Sequence, residues 1–230
     1  LAPKAKLEHV YRVSGIPSKD GWRYNGLNLD EAEAVKVQPE GGIHVVTGEQ
    51  QRARWVGEQN GPLPIGDAPK GFTAEIKMKV TRSTAAQRGV DFEVRVPELG
   101  QAIITVTQSS VCRIGETLRD GLDNASNQHT YRIAATPEGV FHVFRDEIWL
   151  GTRPFSTPNA DPPSESAYMQ WGEGAYYSQA DATIVEVALD MTGAYRPENA
   201  ARPEDEPMPT PSLSSPAARN VLLEGPQDPA

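Results

Sequence analysis

Two segments of this chain alternate apolar and polar residues without a break. In Phe72-Thr-Ala-Glu-Ile-Lys-Met-Lys-Val80, one side carries Phe72, Ala74, Ile76, Met78 and Val80, and the other carries Thr73, Glu75, Lys77 and Lys79. In Val90-Asp-Phe-Glu-Val-Arg-Val96, Val90, Phe92, Val94 and Val96 oppose Asp91, Glu93 and Arg95. A period of two is the geometry of a strand, whose successive side chains point to opposite faces. One apolar face per strand favours antiparallel sheets. Further strands are expected at Ala34–Val37, Ile43–Thr47, Ala102–Gln108, Tyr131–Ala135, Val140–Arg145 and Thr183–Leu189. Pro39-Glu-Gly-Gly42, Pro97-Glu-Leu-Gly100 and Pro137-Glu-Gly139 each place Pro before Gly between two strands, a hairpin signal. A short helix fits Asp30–Val35, but no long amphipathic helix and no internal repeat is present. The pattern predicts an all-β antiparallel sandwich or barrel.

The formal charge is -9, from 22 Lys+Arg against 31 Asp+Glu. A general nucleic-acid binder carries a basic footprint instead, so nucleic acid is not an expected partner. No apolar run approaches the ~20 residues of a membrane helix, so no membrane span is expected. Cys112 is the single cysteine, which excludes an internal disulfide and a cysteine-rich zinc site. Residues 196–230 hold 8 of the 20 prolines and no aromatic residue. Proline lacks the N–H and fixes φ, so Pro203-Glu-Asp-Glu-Pro-Met-Pro-Thr-Pro211 is expected to be neither helix nor central strand. The expected organisation is a β-sandwich over residues 7–195 and a flexible Pro-rich tail or linker over 196–230. A chain that begins at Leu1 and ends in such a segment is expected to be processed or excised.

Several segments, in order, resemble the concanavalin A-like lectin/glucanase superfamily. They are most similar to its laminin-G-like jelly-roll domains from secreted bacterial carbohydrate-active proteins. These segments are Pro17-Ser-Lys-Asp-Gly-Trp22, the strand Phe72–Val80, His129-Thr-Tyr-Arg-Ile133 leading to Val140-Phe-His-Val-Phe-Arg-Asp146, and Trp171-Gly-Glu-Gly174 with Thr183-Ile-Val-Glu-Val187 and Thr192-Gly-Ala-Tyr195. Glu147 stands where the family usually has Gly. The resemblance spans about residues 10 to 197 and implies a two-sheet jelly roll with a ligand, commonly a glycan, on the concave sheet or its edge loops. It also implies a secreted, periplasmic or cell-surface location and association with, or fusion to, a larger carbohydrate-active protein.

The candidate chemistry follows from residue type and spacing. Glycosidases need two carboxylates about 5–10 Å apart. Asp91 and Glu93 share a strand face roughly 7 Å apart, but the Glu-x-Asp-x-x-Glu pattern of the superfamily's glucanases is absent, position 96 being Val. Gly174-Ala-Tyr-Tyr-Ser-Gln179 is one residue longer than the Gly-x-Tyr-x-Gln strand of jelly-roll lyases, where a Tyr donates a proton. It makes Tyr176 a third catalytic candidate. For ligand binding the candidates are Glu93, Arg95, Arg132 and His142 on polar strand faces, with Tyr176 and Tyr177 as stacking rings. His9, His44, His129 and His142 are too scattered for zinc. No cofactor is required; calcium is the one ion considered, through Asp120, Asp123 and Asn124 in one loop and Asn159 and Asp161 in another. Asp and Asn are also ordinary turn residues. Asn124-Ala-Ser126 matches a glycosylation acceptor.

The leading expectation is therefore a non-catalytic, lectin-like recognition or accessory module for a glycan or polysaccharide. A polysaccharide hydrolase or lyase requires two convergent acids or a Tyr/His pair in one groove. A structural or protein-interaction domain requires an exposed apolar patch without a groove.

Overall fold

A computed structural model describes residues 1–84, 88–113, 116–156, 166–174 and 179–201. Its strands are β1 (Ala2–Pro3), β2 (His9–Arg12), β3 (Arg23–Tyr24), β4 (Val35–Val37), β5 (Ile43–Val46), β6 (Ala53–Glu58), β7 (Phe72–Ser83), β8 (Val90–Val96) and β9 (Gly100–Val106). They continue with β10 (Val111–Arg113), β11 (Glu116–Arg119), β12 (His129–Ala135), β13 (Val140–Arg145), β14 (Ile148–Pro154), β15 (Tyr168–Glu173), β16 (Ala180–Asp190) and β17 (Tyr195–Arg196). One short helix, α1 (Glu31–Ala34), falls within the predicted segment. No helix among the described residues is long and apolar enough to cross a membrane.

Two antiparallel sheets form a β-sandwich jelly roll. The first has seven strands in the order β11-β10-β9-β8-β15-β6-β3; the second runs β14-β13-β12-β7-β16-β5-β4, with β2 paired to β16. The alternating residues place the core between them. Phe72, Ala74, Ile76, Met78 and Val80 of β7, and Phe92, Val94 and Val96 of β8, are fully buried in one cluster. Trp55 stacks on Trp171 at 4.7 Å, and Trp22 meets Trp171 edge-on at 5.3 Å. Gly57 lies beneath Trp22, where a Cβ would come within 2.7 Å of the indole ring. The Trp55 indole N–H donates to Glu31 Oε1 at 2.6 Å, which ties α1 to the core.

The turns follow their sequence signals. Gly100 and Gly139 adopt φ of +103° and +84°, conformations that glycine reaches without strain. In the β13–β14 turn the positive φ, 55°, falls on Asp146 and not on Glu147. Glycine is therefore not needed at 147. Asp146 instead reaches back to β12, accepting from the Thr130 N–H at 3.0 Å.

The outer face of the second sheet is not solvated at its centre. The short parallel pair β1–β17 lies across it. Arg132, 2% exposed, donates from Nε to Glu75 Oε1 at 2.5 Å and from Nη1 to the Lys4 carbonyl at 2.8 Å. Ala134, Phe144, Trp149 and Ala200 form a small second cluster there, with Leu1 and Ala194 against it. Burial pushes the Glu75 carboxyl up, and the Arg132 charge pulls it back down. Removing one member of a buried pair strands the other's charge. Arg132→Met is expected to lower unfolding stability by about 3 kcal/mol in urea titrations, and adding Glu75→Gln should restore much of that loss. Equal stability of wild type and Arg132→Met would contradict this role.

Candidate functional site

On the outer face of the seven-stranded sheet, β8 presents the polar half of its alternation: Asp91, Glu93 and Arg95. A lone strand face of this kind is expected to be wet. Here Glu93 is 1% exposed and Arg95 4%. The reason lies in the neighbours that register assigns. β15 puts Tyr168 opposite Arg95, Gln170 opposite Glu93 and Gly172 opposite Asp91. β9 puts Gln101 opposite Arg95 and Thr105 opposite Asp91.

Those neighbours satisfy the buried Glu93 carboxylate and the half-buried one of Asp91, as removal of charge from water requires. Gln101 Nε2 donates to Glu93 Oε1 at 2.5 Å, the Tyr168 hydroxyl donates to the same oxygen, and Gln170 Nε2 donates to Oε2. Gln170 Oε1 in turn accepts from Arg54 Nη1 at 3.1 Å, and Arg54 Nη2 donates to the Gly174 carbonyl at 2.7 Å. Asp91 Oδ1 accepts from Thr105 Oγ1 at 2.6 Å. A Cβ at Gly174 would overlap Asp91 Oδ2 and Arg54 Nη2. The final glycine of Trp171-Gly-Glu-Gly174 thus leaves the space in which these two side chains meet.

The charges act on one another. Burial pushes the Asp91 carboxyl up to about 6; the Thr105 hydrogen bond and the Arg54 charge oppose this, and Glu93 adds to it. Burial and the Glu93 charge hold the Tyr168 hydroxyl above its ordinary value, while Arg95 pulls it down. Towards β3 the face opens into a cleft of about 220 Å³ lined by Arg23, Asn25, Glu58, Ser166, Tyr168 and Gln170. Arg23 Nη2 pairs with Glu58 Oε1 at 3.0 Å on its rim.

The structure brings Asp91, Glu93 and Arg95 together and separates them from the other sequence candidates. Arg132 and His142 belong to the second sheet. Arg132 joins the segments of β1 and β17 through the Lys4 and Tyr195 carbonyls, and the His142 Nδ1 lies 2.8 Å from Thr152 Oγ1. Tyr176 and Tyr177 lie outside the described residues, as do Asn159 and Asp161. Asp120, Asp123 and Asn124 each serve local structure. Asp120 accepts from the Gly121 N–H at 3.0 Å, and Asp123 Oδ1 from the Ser126 N–H at 2.9 Å. Asn124 is fully buried and its amide donates to the Thr107 and Ser110 carbonyls. Its nitrogen is thereby closed to glycosylation. Among the described residues no group of three or more His, Cys, Asp or Glu is arranged to hold a metal ion.

Five contributors, Arg54, Gln101, Thr105, Tyr168 and Gln170, were not among the sequence candidates. The signal for two of them was present: Tyr168-Met-Gln-Trp171 alternates polar and apolar residues immediately before the Gly-Glu-Gly motif.

No protein-family model and no curated protein matches the chain. Solved structures do share its fold. The Crh5 transglycosylase in complex with NAG is 11% identical, with 83% of this chain and 87% of that chain covered at a TM-score of 0.50. A glycoside hydrolase family protein from Mycobacterium thermorestibile is 14% identical over 80% of this chain and 100% of that one, at 0.43. Alginate lyase A1-II' is 9% identical over 77% and 99%, at 0.44. The likeness to the transglycosylase structure is one of fold, a two-sheet β-sandwich.

The raised Asp91 carboxyl has a thermodynamic consequence. The folded state holds a proton up to pH about 6 that an unfolded chain, at the ordinary value of 3.8, has already released. Its contribution to stability is full below pH 3.8 and is lost as pH rises through 6. Asp91→Asn removes this term, so variant-minus-wild-type stability should rise by on the order of 2 kcal/mol between about pH 4 and 7. Urea midpoints at both pH values test this, and a pH-independent difference would contradict the burial of Asp91.

Proposed function

We propose that this chain is a carbohydrate-recognition module whose ligand occupies the cleft on the outer face of the seven-stranded sheet. The carrying observation is the lining of that cleft: an amide, a guanidinium, carboxylate and hydroxyl groups, and a phenol ring converge beside the Glu93 network. Sugars are held by directed hydrogen bonds to their hydroxyls and by stacking on an aromatic face. Two of the lining side chains, Tyr168 and Gln170, are fixed by the buried Glu93, which reduces the entropy lost on binding. The fold likeness to a transglycosylase solved with NAG supports the same ligand class. A laminin-G-like module of a secreted or surface carbohydrate-active protein is the finer form of this reading, and the sequence resemblance supports it.

Binding without turnover is favoured because both carboxylates are engaged. Glu93 accepts from three side chains and Asp91 from a fourth. A glycosidase nucleophile or base must be free to face the anomeric carbon or a water. A second reading, a glycoside hydrolase, is favoured by one observation. Asp91 is held at about 6 beside Glu93, in the range of a general acid.

Incubating the protein with a polysaccharide panel, with retention and product release recorded together, separates the two. Retention without release is expected. Release of oligosaccharides, abolished by Glu93→Gln, would replace the module reading by the hydrolase. Arg23→Ala at the exposed cleft rim should weaken retention roughly 3–10-fold, with an unchanged unfolding midpoint. Arg12→Ala, exposed on the second sheet, should leave retention unaltered.

A further inference from the structure

Arg95 is the unexplained charge of this face. It is 4% exposed, and its Nε has no hydrogen-bond acceptor. Among the described residues it takes part in no ion pair. Its partner on this face is Tyr168: the ring centroid lies 6.0 Å from the guanidinium carbon, and a side-chain hydrogen bond joins the two. A carboxylate stands two residues away on the same face, yet the oxygens of Glu93 are taken by Gln101, Gln170 and Tyr168. Two neighbouring arginines have acceptors for their Nη groups: Arg54 donates to Gln170 and the Gly174 carbonyl, though its Nε too has no acceptor, and Arg23 pairs with Glu58.

A buried guanidinium N–H that lacks an acceptor is costly to maintain unless something supplies one. Its planar fork suits an anionic group with two oxygens in one plane. Tyr168 borders both Arg95 and the cleft, so a substituent reaching past its ring from a bound sugar would meet Arg95. We propose that Arg95, beside Tyr168, is the anion subsite of this face and that its ligand is an acidic glycan bearing a carboxylate or a sulfate ester. The inference rests on the carbohydrate reading above and names the class of sugar.

Paired ligands test it without any mutation. The wild-type protein is titrated calorimetrically with a uronate oligosaccharide and its carboxyl-reduced neutral counterpart, and with a sulfated oligosaccharide and its desulfated parent. The acidic member of at least one pair is expected to bind about tenfold or more tightly than its neutral partner, and the pair that shows the gap identifies the anion. Arg95→Gln should abolish the gap while keeping the neutral affinity. Arg95→Lys, which retains the charge without the fork, should keep only part of it. Arg12→Gln, exposed on the second sheet, should leave the gap in place. Equal affinity of wild type for both members of each pair overturns the acidic-ligand inference and leaves glycan recognition standing. No binding of any member by the folded protein overturns both. A gap that persists in Arg95→Gln assigns the anion to another residue and overturns the role of Arg95.

Discussion

A carboxylate excluded from water must find its donors inside the protein, and Glu93 sets that condition for the whole seven-stranded sheet. It lies on the face opposite the core, where solvent would ordinarily satisfy it. With 1% exposure it relies on Gln101, Tyr168 and Gln170. Those residues come from strands on both sides, so the register of β9 and β15 against β8 is tied to one side chain. A slip of one residue would turn Tyr168 and Gln170 into the core and Met169 and Trp171 out of it. The tryptophan cluster inside and the carboxylate network outside therefore enforce the same register from opposite faces of β15.

The second sheet solves a similar problem for a different end. Its buried charge, Arg132, is paired with Glu75 and spans to the carbonyls of Lys4 and Tyr195. Every one of these acceptors is part of the chain, and the result is a clamp on the segments that carry β1 and β17. Around Glu93 and Arg95 the balance differs: Glu93 is served by neutral donors, and the Arg95 Nε has no acceptor among the described residues. The contrast between a closed network and an open one distinguishes a structural ion pair from a candidate binding face.

Much of the fold was legible in the sequence because it depends on local periodicity. The alternation in Phe72–Val80 and Val90–Val96 gave both strand type and core side, and the Pro-to-Gly spacings gave turns with glycine where φ is positive. The same alternation grouped Asp91, Glu93 and Arg95 on one face. It could not say which strand lies beside them. Tyr168 and Gln170 are 75 and 77 residues from Glu93, and such pairings arise from sheet topology. Parity also misled: Arg132 and His142 occupy polar strand positions, but parity does not tell one sheet from the other. The wet face expected for β8 is buried because long polar side chains from neighbouring strands pack there, which no single strand reveals.

The most direct test of this account is a backbone-amide NMR titration of the intact protein with an oligosaccharide that it retains. The account predicts that the shifted amides map to β6, β8 and β15, centred on Glu58, Glu93 and Tyr168, with those of Arg132 and His142 unmoved. Shifts confined to the second sheet, or spread over the core without reaching β8 and β15, would contradict it.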